Sequence, residues 1–217
     1  MKVGTDGVLL GAWVNTAEAG SILDIGTGTG LLALMIAQKT HCVIDAVEMD
    51  QDAFRQAGEN IRLSPWPGQI NLYHTSFQDY SAITNKKYDL IVSNPPYFTN
   101  SLKAPDEKRS MARHCDTLPY NELLQGVARL LTDKGRFCVI LPYPEAQLFV
   151  VDAALSHLYC NLKVNIKPSV QKKVSRVLLQ FSKTRTVANE ETIAILDVNR
   201  EYTTEYKEWT CDYYLNF

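Results

Sequence analysis

An apolar run, Leu90-Ile91-Val92, ends at Ser93-Asn94 and then meets two prolines and two aromatics, Pro95-Pro96-Tyr97-Phe98. Each proline lacks a backbone N–H and holds φ near −65°, so the corner is stiff and leaves carbonyls without neighbouring amides. That corner suits one chemical task. A conjugated amine, such as the exocyclic NH2 of a purine or a side-chain amide, is a poor nucleophile because its lone pair is delocalised. Two acceptors that take both of its N–H bonds favour a pyramidal nitrogen and aim the lone pair at an electrophile. The side-chain oxygen of Asn94 and the carbonyl of Pro95 can be those acceptors. Tyr97 can stack on the planar group, with Pro96 and Phe98 beside it. Near-attack positioning lowers a barrier by on the order of 7–11 kcal/mol at best, with no base of special pKa required.

A second constellation lies upstream, in "ILDIGTGTGLLAL". Gly26, Gly28 and Gly30 follow a short apolar run and open a helix, where glycines let backbone approach a ligand that a Cβ would keep away. In a parallel sheet, ligands bind beyond the carboxyl ends of the strands. The next strand ends in Glu48-Met49, and a carboxylate there can accept hydrogen bonds from both hydroxyls of a ribose. A nicotinamide fingerprint needs G-x-G-x-x-G, and its third glycine would fall on Leu31. The pattern present is D-x-G-x-G-x-G, led by Asp24. It resembles the S-adenosyl-L-methionine loop of class I methyltransferases, and Asn-Pro-Pro-Tyr after a strand resembles the signature of their amino-methylating members. Those act on adenine N6, guanine N2 or glutamine amides.

The elements that must position these residues alternate. Strands are predicted over 21–25, 43–47, 70–73, 88–92 and 137–141, with a last pair over 162–166 and 174–181. Helices are predicted over 31–38, 51–61 (capped by Asp50 and stopped by "SPWPG"), 121–131 (closed by "TDKG") and 146–158. Such alternation indicates right-handed βαβ units and a mostly parallel sheet. Residues 99–117 read as a long polar insertion of the kind that is usually functional. The 217 residues suffice for one large core and are expected to form one domain. A net charge of −2 does not mark a nucleic-acid binder, so any basic surface must be local. Five scattered cysteines without a CxxC pair argue against a disulfide framework or a zinc site and suit a reducing cytoplasm. No apolar stretch is long enough to span a bilayer. Neither a metal nor a membrane partner is expected, and a monomer is the default.

Further segments sharpen the resemblance. "MKVGTDGVLLGAW", "VEMDQDA", "SPW", "SNPPYF", "ARH" and "VSRVLLQFSK" together resemble the bacterial tRNA(Val) adenine-37 N6-methyltransferase family over nearly the whole chain. The resemblance implies an α/β, Rossmann-like class I fold: a seven-stranded, mostly parallel sheet of order 3-2-1-4-5-7-6 with helices on both faces. It implies methyl transfer to N6 of the adenine beside the anticodon of valine tRNA. It also implies that Lys2, Gly4, Thr5 and Asp6 form a loop over the cofactor, within a front segment shorter than the family's. Asp24, Gly26, Thr27, Gly28 and Gly30 would hold the methionine moiety, and Glu48 and Met49 the ribose. Asn94 would border the cofactor as well as orient the amine. In "YHTSFQDY" either Ser76 or Asp79 would read the cofactor adenine, with Phe77 packed on it.

No Asp or Glu occurs from Ala153 to Asn189, whereas Lys163, Lys167, Lys172, Lys173, Arg176, Lys183 and Arg185 do. With Lys103, Lys108, Arg109 and Arg113 of the insertion they are expected to line an RNA groove for the anticodon loop. An unstacked loop base reaches such a pocket at low cost. His74 and His114 are read as structural, and the aromatic tail containing Tyr206 and Trp209 as packing. Rival readings are a glutamine-amide methyltransferase of release factors, a guanine-N2 enzyme, and a non-catalytic cofactor- or RNA-binding module.

Overall fold

The computed structural model describes residues 4–96 and 118–214. Strands β1 (Ile22–Ile25), β2 (Ile44–Glu48), β3 (Ile70–His74), β4 (Tyr88–Ser93), β5 (Leu131–Pro142), β6 (Tyr159–Ser169), β7 (Arg176–Ser182) and β8 (Asn189–Leu196) form one sheet of order β3-β2-β1-β4-β5-β7-β6-β8. The expected seven-strand order is present in full, and an eighth strand is added at the β6 edge. Pairing is parallel from β3 through β5 and antiparallel on both sides of β7.

Two layers of helices cover the sheet, which is why β1 and β2 are buried on both faces. Helices α4 (Phe77–Ile83), α5 (Tyr120–Leu130) and α6 (Tyr143–Leu155) supply one core, with Phe77, Leu123, Val127 and Phe149. Helices α1 (Thr5–Trp13), α2 (Leu31–Ala37), α3 (Gln51–Leu63) and α7 (Thr204–Thr210) supply the other, with Leu9, Leu10, Ile36, Ile61 and Tyr206. Asp50 caps α3 as expected, its carboxylate accepting the Ala53 amide at 2.8 Å.

Three expectations need correction. Thr5 and Asp6 are not loop residues; they begin α1, whose Val8, Leu9 and Leu10 are buried. Its glycines serve contact: a Cβ on Gly11 would lie 2.7 Å from the Met35 sulfur and 3.1 Å from Met35 Cβ, so any larger residue would require the Met35 side chain to move. "TDKG" does not precede the strand but lies within β5, where a bulge pairs Tyr88 with Leu131 and Leu90 with Arg136, so that residues 132–135 are looped out of register. Finally, β8 carries Glu190 and Glu191 straight after the acid-free stretch and lays Glu190 beside Lys163 at 2.9 Å.

β1 lies between β2 and β4, with Ile25 opposite Ser93. Gly26 and Asn94 therefore leave neighbouring strands at one level. The buried Ser93 hydroxyl donates to the Ile25 carbonyl at 3.0 Å, fastening the two strand ends together. Ser93→Ala should cost about 1 kcal/mol, read as a melting temperature lower by about 2–4 °C; an unchanged melting curve would show the bond to be dispensable.

Candidate active site

At the carboxyl end of β1, Gly26 and Thr27 donate to the Val47 carbonyl at 2.9 and 3.0 Å, turning the chain back over β2. Gly26, Gly28 and Gly30 all take positive φ, between 60° and 83°, which L side chains rarely adopt. The Gly28 amide reaches Glu48 Oε2 at 2.8 Å, and the Asp50 amide reaches Oε1 at 2.8 Å. Both carboxylate oxygens of Glu48 are thus fixed by backbone, and each retains acceptor capacity towards a diol. The Asn60 amide group holds Thr29 from outside at 2.8 Å.

These groups line a cavity of about 410 Å³ that opens beyond the strand ends. Among the anticipated residues, Gly4, Asp24, Gly26, Thr27 and Gly28 lie on its wall, together with Glu48, Met49 and Phe77. The amine-clamp candidates Asn94, Pro95 and Pro96 lie on the same wall, so the two constellations read from sequence meet in one space. A larger cavity, about 560 Å³, lies between α6 and the β6–β7 hairpin. Neither loop reaches it, so size does not identify the site.

Other anticipated residues stand elsewhere. Gly30 caps α2 and packs towards Ala57, where an added Cβ would be 3.5 Å away. Ser76 is not a wall residue; it caps α4, accepting the Asp79 amide at 3.0 Å and donating to Asp79 Oδ2 at 2.7 Å. Thr75 and Gln78, its near neighbours, face the cavity instead. Asp6 is not among the wall residues and forms an ion pair with Arg176 Nε at 2.9 Å, so Arg176 is not a free groove cation. Lys163 is matched by Glu190, and Lys183 lies 3.7 Å from Asp133. Lys172 and Lys173 are exposed in the turn between β6 and β7. That turn is at the Asn94 end of the sheet, because Arg176 pairs with Pro142 and Val139 with Ser93. His74 hydrogen-bonds the Met49 carbonyl at 3.1 Å and stacks on Phe54, a structural role. Lys2, Tyr97, Phe98, Lys103, Lys108, Arg109, Arg113 and His114 fall outside the described residues. Sequence reasoning did not single out Gly7, Thr75, Gln78, Leu31 and Leu118, which also line the cavity. Among the described residues no cluster of His, Cys, Asp and Glu could hold a metal, and no helix is long and apolar enough to cross a membrane.

Asp24 sets the electrostatics. It is 1 % exposed, and its Oδ2 accepts the Thr27 hydroxyl at 2.6 Å. Its Oδ1 is one of two buried side-chain oxygens among the described residues that lack a hydrogen-bond partner. Burial drives its pKa up from 3.8 to about 7; the Thr27 hydroxyl and the nearby Ala33 amide oppose the rise and the Glu48 carboxylate adds to it. An orphaned carboxylate on a cavity wall fits a ligand that brings positive charge, such as an ammonium or sulfonium, while Glu48 fits a ribose. S-adenosyl-L-methionine carries both features, so the residues present fit that cofactor.

Residues 3–143 match the family described as "Methyltransferase small domain". A tRNA1(Val) (adenine(37)-N6)-methyltransferase of Bacteroides fragilis is 46 % identical over 218 residues, spanning 99 % of this chain and 91 % of the relative. Relatives of the same name from Parabacteroides distasonis and Proteus mirabilis are 43 % and 42 % identical, spanning 99 % and 100 % of this chain and 91 % and 88 % of theirs. Among solved structures, a "predicted O-methyltransferase" from Agrobacterium tumefaciens superposes with a TM-score of 0.76 at 13 % identity, covering 95 % of this chain and 96 % of that one. A ribosomal protein L11 methylase from Lactobacillus delbrueckii gives 0.60 at 19 % identity, covering 82 % and 78 %. At those identities the likeness is one of fold.

The buried acid generates a prediction for the ligand-free protein. The folded state keeps the Asp24 proton up to about pH 7, whereas the unfolded chain releases it near 3.8. Stability therefore falls as pH rises between those values, by on the order of 4 kcal/mol if the whole shift is realised. Asp24→Asn is neutral throughout and escapes that loss. Urea unfolding of the two proteins should show the Asn variant gaining on wild type from pH 4.5 to 8; a difference flat across that range would contradict the assignment.

Proposed function

The chain belongs to the methyltransferase small domain family, in its tRNA1(Val) adenine-37 N6-methyltransferase branch, and we propose that its 217 residues work as one methyl-transferring domain in the cytoplasm. It is an S-adenosyl-L-methionine-dependent enzyme that methylates tRNA, and its product is N6-methyladenosine at position 37, next to the anticodon of valine tRNA. The observation that carries this reading is the meeting of the Asp24–Glu48 wall with the Asn94–Pro95 corner in one cavity.

When bound, S-adenosyl-L-methionine supplies an electrophilic methyl group on a sulfonium. Asp24, which a neighbouring positive charge would hold ionised, would offer its orphaned oxygen to the ammonium of the amino-acid end. The glycines at 26 and 28 would let the ligand approach the backbone, Glu48 would hold the ribose hydroxyls, and Phe77 would pack on the adenine. Across the cavity, Asn94 Oδ1 and the Pro95 carbonyl accept the two N–H bonds of the target amine. The amine would thereby be held with its lone pair towards the methyl group; as the N–C bond forms the S–C bond would break, leaving S-adenosylhomocysteine, and the methylated nitrogen would lose one proton to solvent. Tyr97 is assigned the stacking role. Lys172 and Lys173, exposed at the same end of the sheet, support the anticodon-loop reading as phosphate contacts; Phe98, and Lys103, Arg109 and Arg113 of the insertion, are assigned to substrate binding with them.

Nucleoside analysis of unmodified tRNA treated with the protein should yield N6-methyladenosine, with release factor unmodified; label on a glutamine amide, or on guanine N2, would replace this reading with another. Asn94→Ala should lower transfer by about 10²-fold or more while S-adenosyl-L-methionine affinity changes little. A proportional loss of both would make Asn94 a cofactor residue alone. Neutralising Lys172 and Lys173 together should reduce the slope of log K against log salt for tRNA binding by about 1.4–1.8; an unchanged slope would remove them from the RNA surface.

A further inference from the structure

Helix α1 forms part of the cavity wall through Gly4 and Gly7, and side chains from distant elements hold both of its ends. At the C-terminal end Lys39 Nζ donates to the carbonyls of Gly11, Ala12 and Val14 at 2.8, 2.6 and 3.0 Å. At the N-terminal end Gly4 has no side chain with which to cap the helix. There Arg176, at the start of β7, donates through Nε to Asp6 in the first turn at 2.9 Å. The Asp6 carboxylate also meets the positive end of the helix dipole. Between the two anchors Gly7 faces the chemistry: a Cβ on it would stand 3.2 Å from Leu31 Cδ2 and 3.9 Å from Asn94 Nδ2. The position of α1 therefore sets how much room the Asn94 side chain has.

The other end of the ion pair is equally constrained. Arg176 sits opposite Pro142 in the β5–β7 ladder, and its predecessor Ser175 is tied by backbone bonds to Tyr143 and Ile166 at 3.1 and 2.9 Å. The exposed lysines Lys172 and Lys173 are four and three residues away. The Arg176 and Asp6 side chains are 32 % and 20 % exposed, so solvent screens the pair only in part.

We propose that Asp6 and Arg176 are positioning residues: the ion pair holds α1 as the cavity wall beside Asn94 and joins that wall to the basic β6–β7 turn. This inference rests on the cavity being the cofactor site. Arg176 belongs to the basic stretch by sequence, but it serves cofactor binding through Asp6 and is not a phosphate contact.

The test uses the full-length protein, titrated with S-adenosylhomocysteine by calorimetry and with tRNA at several salt concentrations, alongside melting temperatures. Asp6→Asn and Arg176→Gln should each weaken S-adenosylhomocysteine binding about tenfold or more, with the salt slope for tRNA unchanged. Arg176→Lys keeps the ion pair and should recover most of that affinity; the exchange of Asp6→Arg with Arg176→Asp keeps a pair but opposes the helix dipole, and should recover part of it. The proposal is overturned if Arg176→Gln reduces the salt slope by about one while cofactor affinity stands. It is equally overturned if both single variants bind within twofold of wild type, or if neither pair-preserving variant recovers the loss, which would mark the pair as fold stability alone. Absence of S-adenosylhomocysteine binding by the wild-type protein overturns the cofactor reading itself, and this inference with it.

Discussion

Everything at this site depends on two parallel strands in one register. β1 and β4 are neighbours, Ile25 faces Ser93, and the Ser93 hydroxyl bonds the Ile25 carbonyl. The residues that follow, Gly26 on one strand and Asn94 on the other, must then emerge side by side about 4.8 Å apart. A slip of one residue would turn each strand's side chains to the opposite face, and β1, buried on both faces, cannot absorb that. The chemistry is carried by loops, but its geometry is imposed by the core beneath them.

The cavity built on this register is not at ease when empty. Asp24 holds a carboxyl group away from water with one oxygen unpaired, a costly arrangement unless positive charge arrives. Glu48, by contrast, has both oxygens fixed by backbone amides. One acid is therefore primed for charge and the other for hydroxyl geometry. The opposite wall needs only rigid acceptors, which explains why the corner after β4 is built from prolines. Catalysis here is positioning: two groups brought together by strand adjacency, with no residue required to act as a strong base.

Much of this was legible in the residues themselves. The three glycines after β1, the acid ending β2 and the double proline after β4 each mark a backbone peculiarity that a single short segment discloses. The Asp50 cap and the alternation of elements are local too, and the expected strand order holds across seven strands. What sequence concealed is non-local. Asp6 and Arg176 are 170 residues apart, and nothing near either names its partner. "KVGTDG" is expected as a loop over the cofactor, yet Thr5 and Asp6 begin α1, and Gly7 and Gly11 are small so that α1 can press on Leu31 and Met35. The basic stretch from 153 to 189 looked uncompensated because its counter-charge arrives with β8, where Glu190 meets Lys163. That strand itself was missed because its first half is polar and only its second half packs. Ser76 was off by one position: its hydroxyl caps α4, and Thr75 takes the place on the wall.

The glycine turn and the proline corner are held to serve a single reaction across one cavity. A crystal structure of the protein with S-adenosylhomocysteine and an anticodon stem-loop is the decisive measurement. The ligand sulfur should lie between the Gly26–Gly28 turn and Asn94, with the ribose on Glu48 and the N6 amine of the extruded adenine bonded to Asn94 Oδ1 and the Pro95 carbonyl. A ligand seated in the α6–β6–β7 cavity, or an adenine bound away from the proline corner, would contradict it.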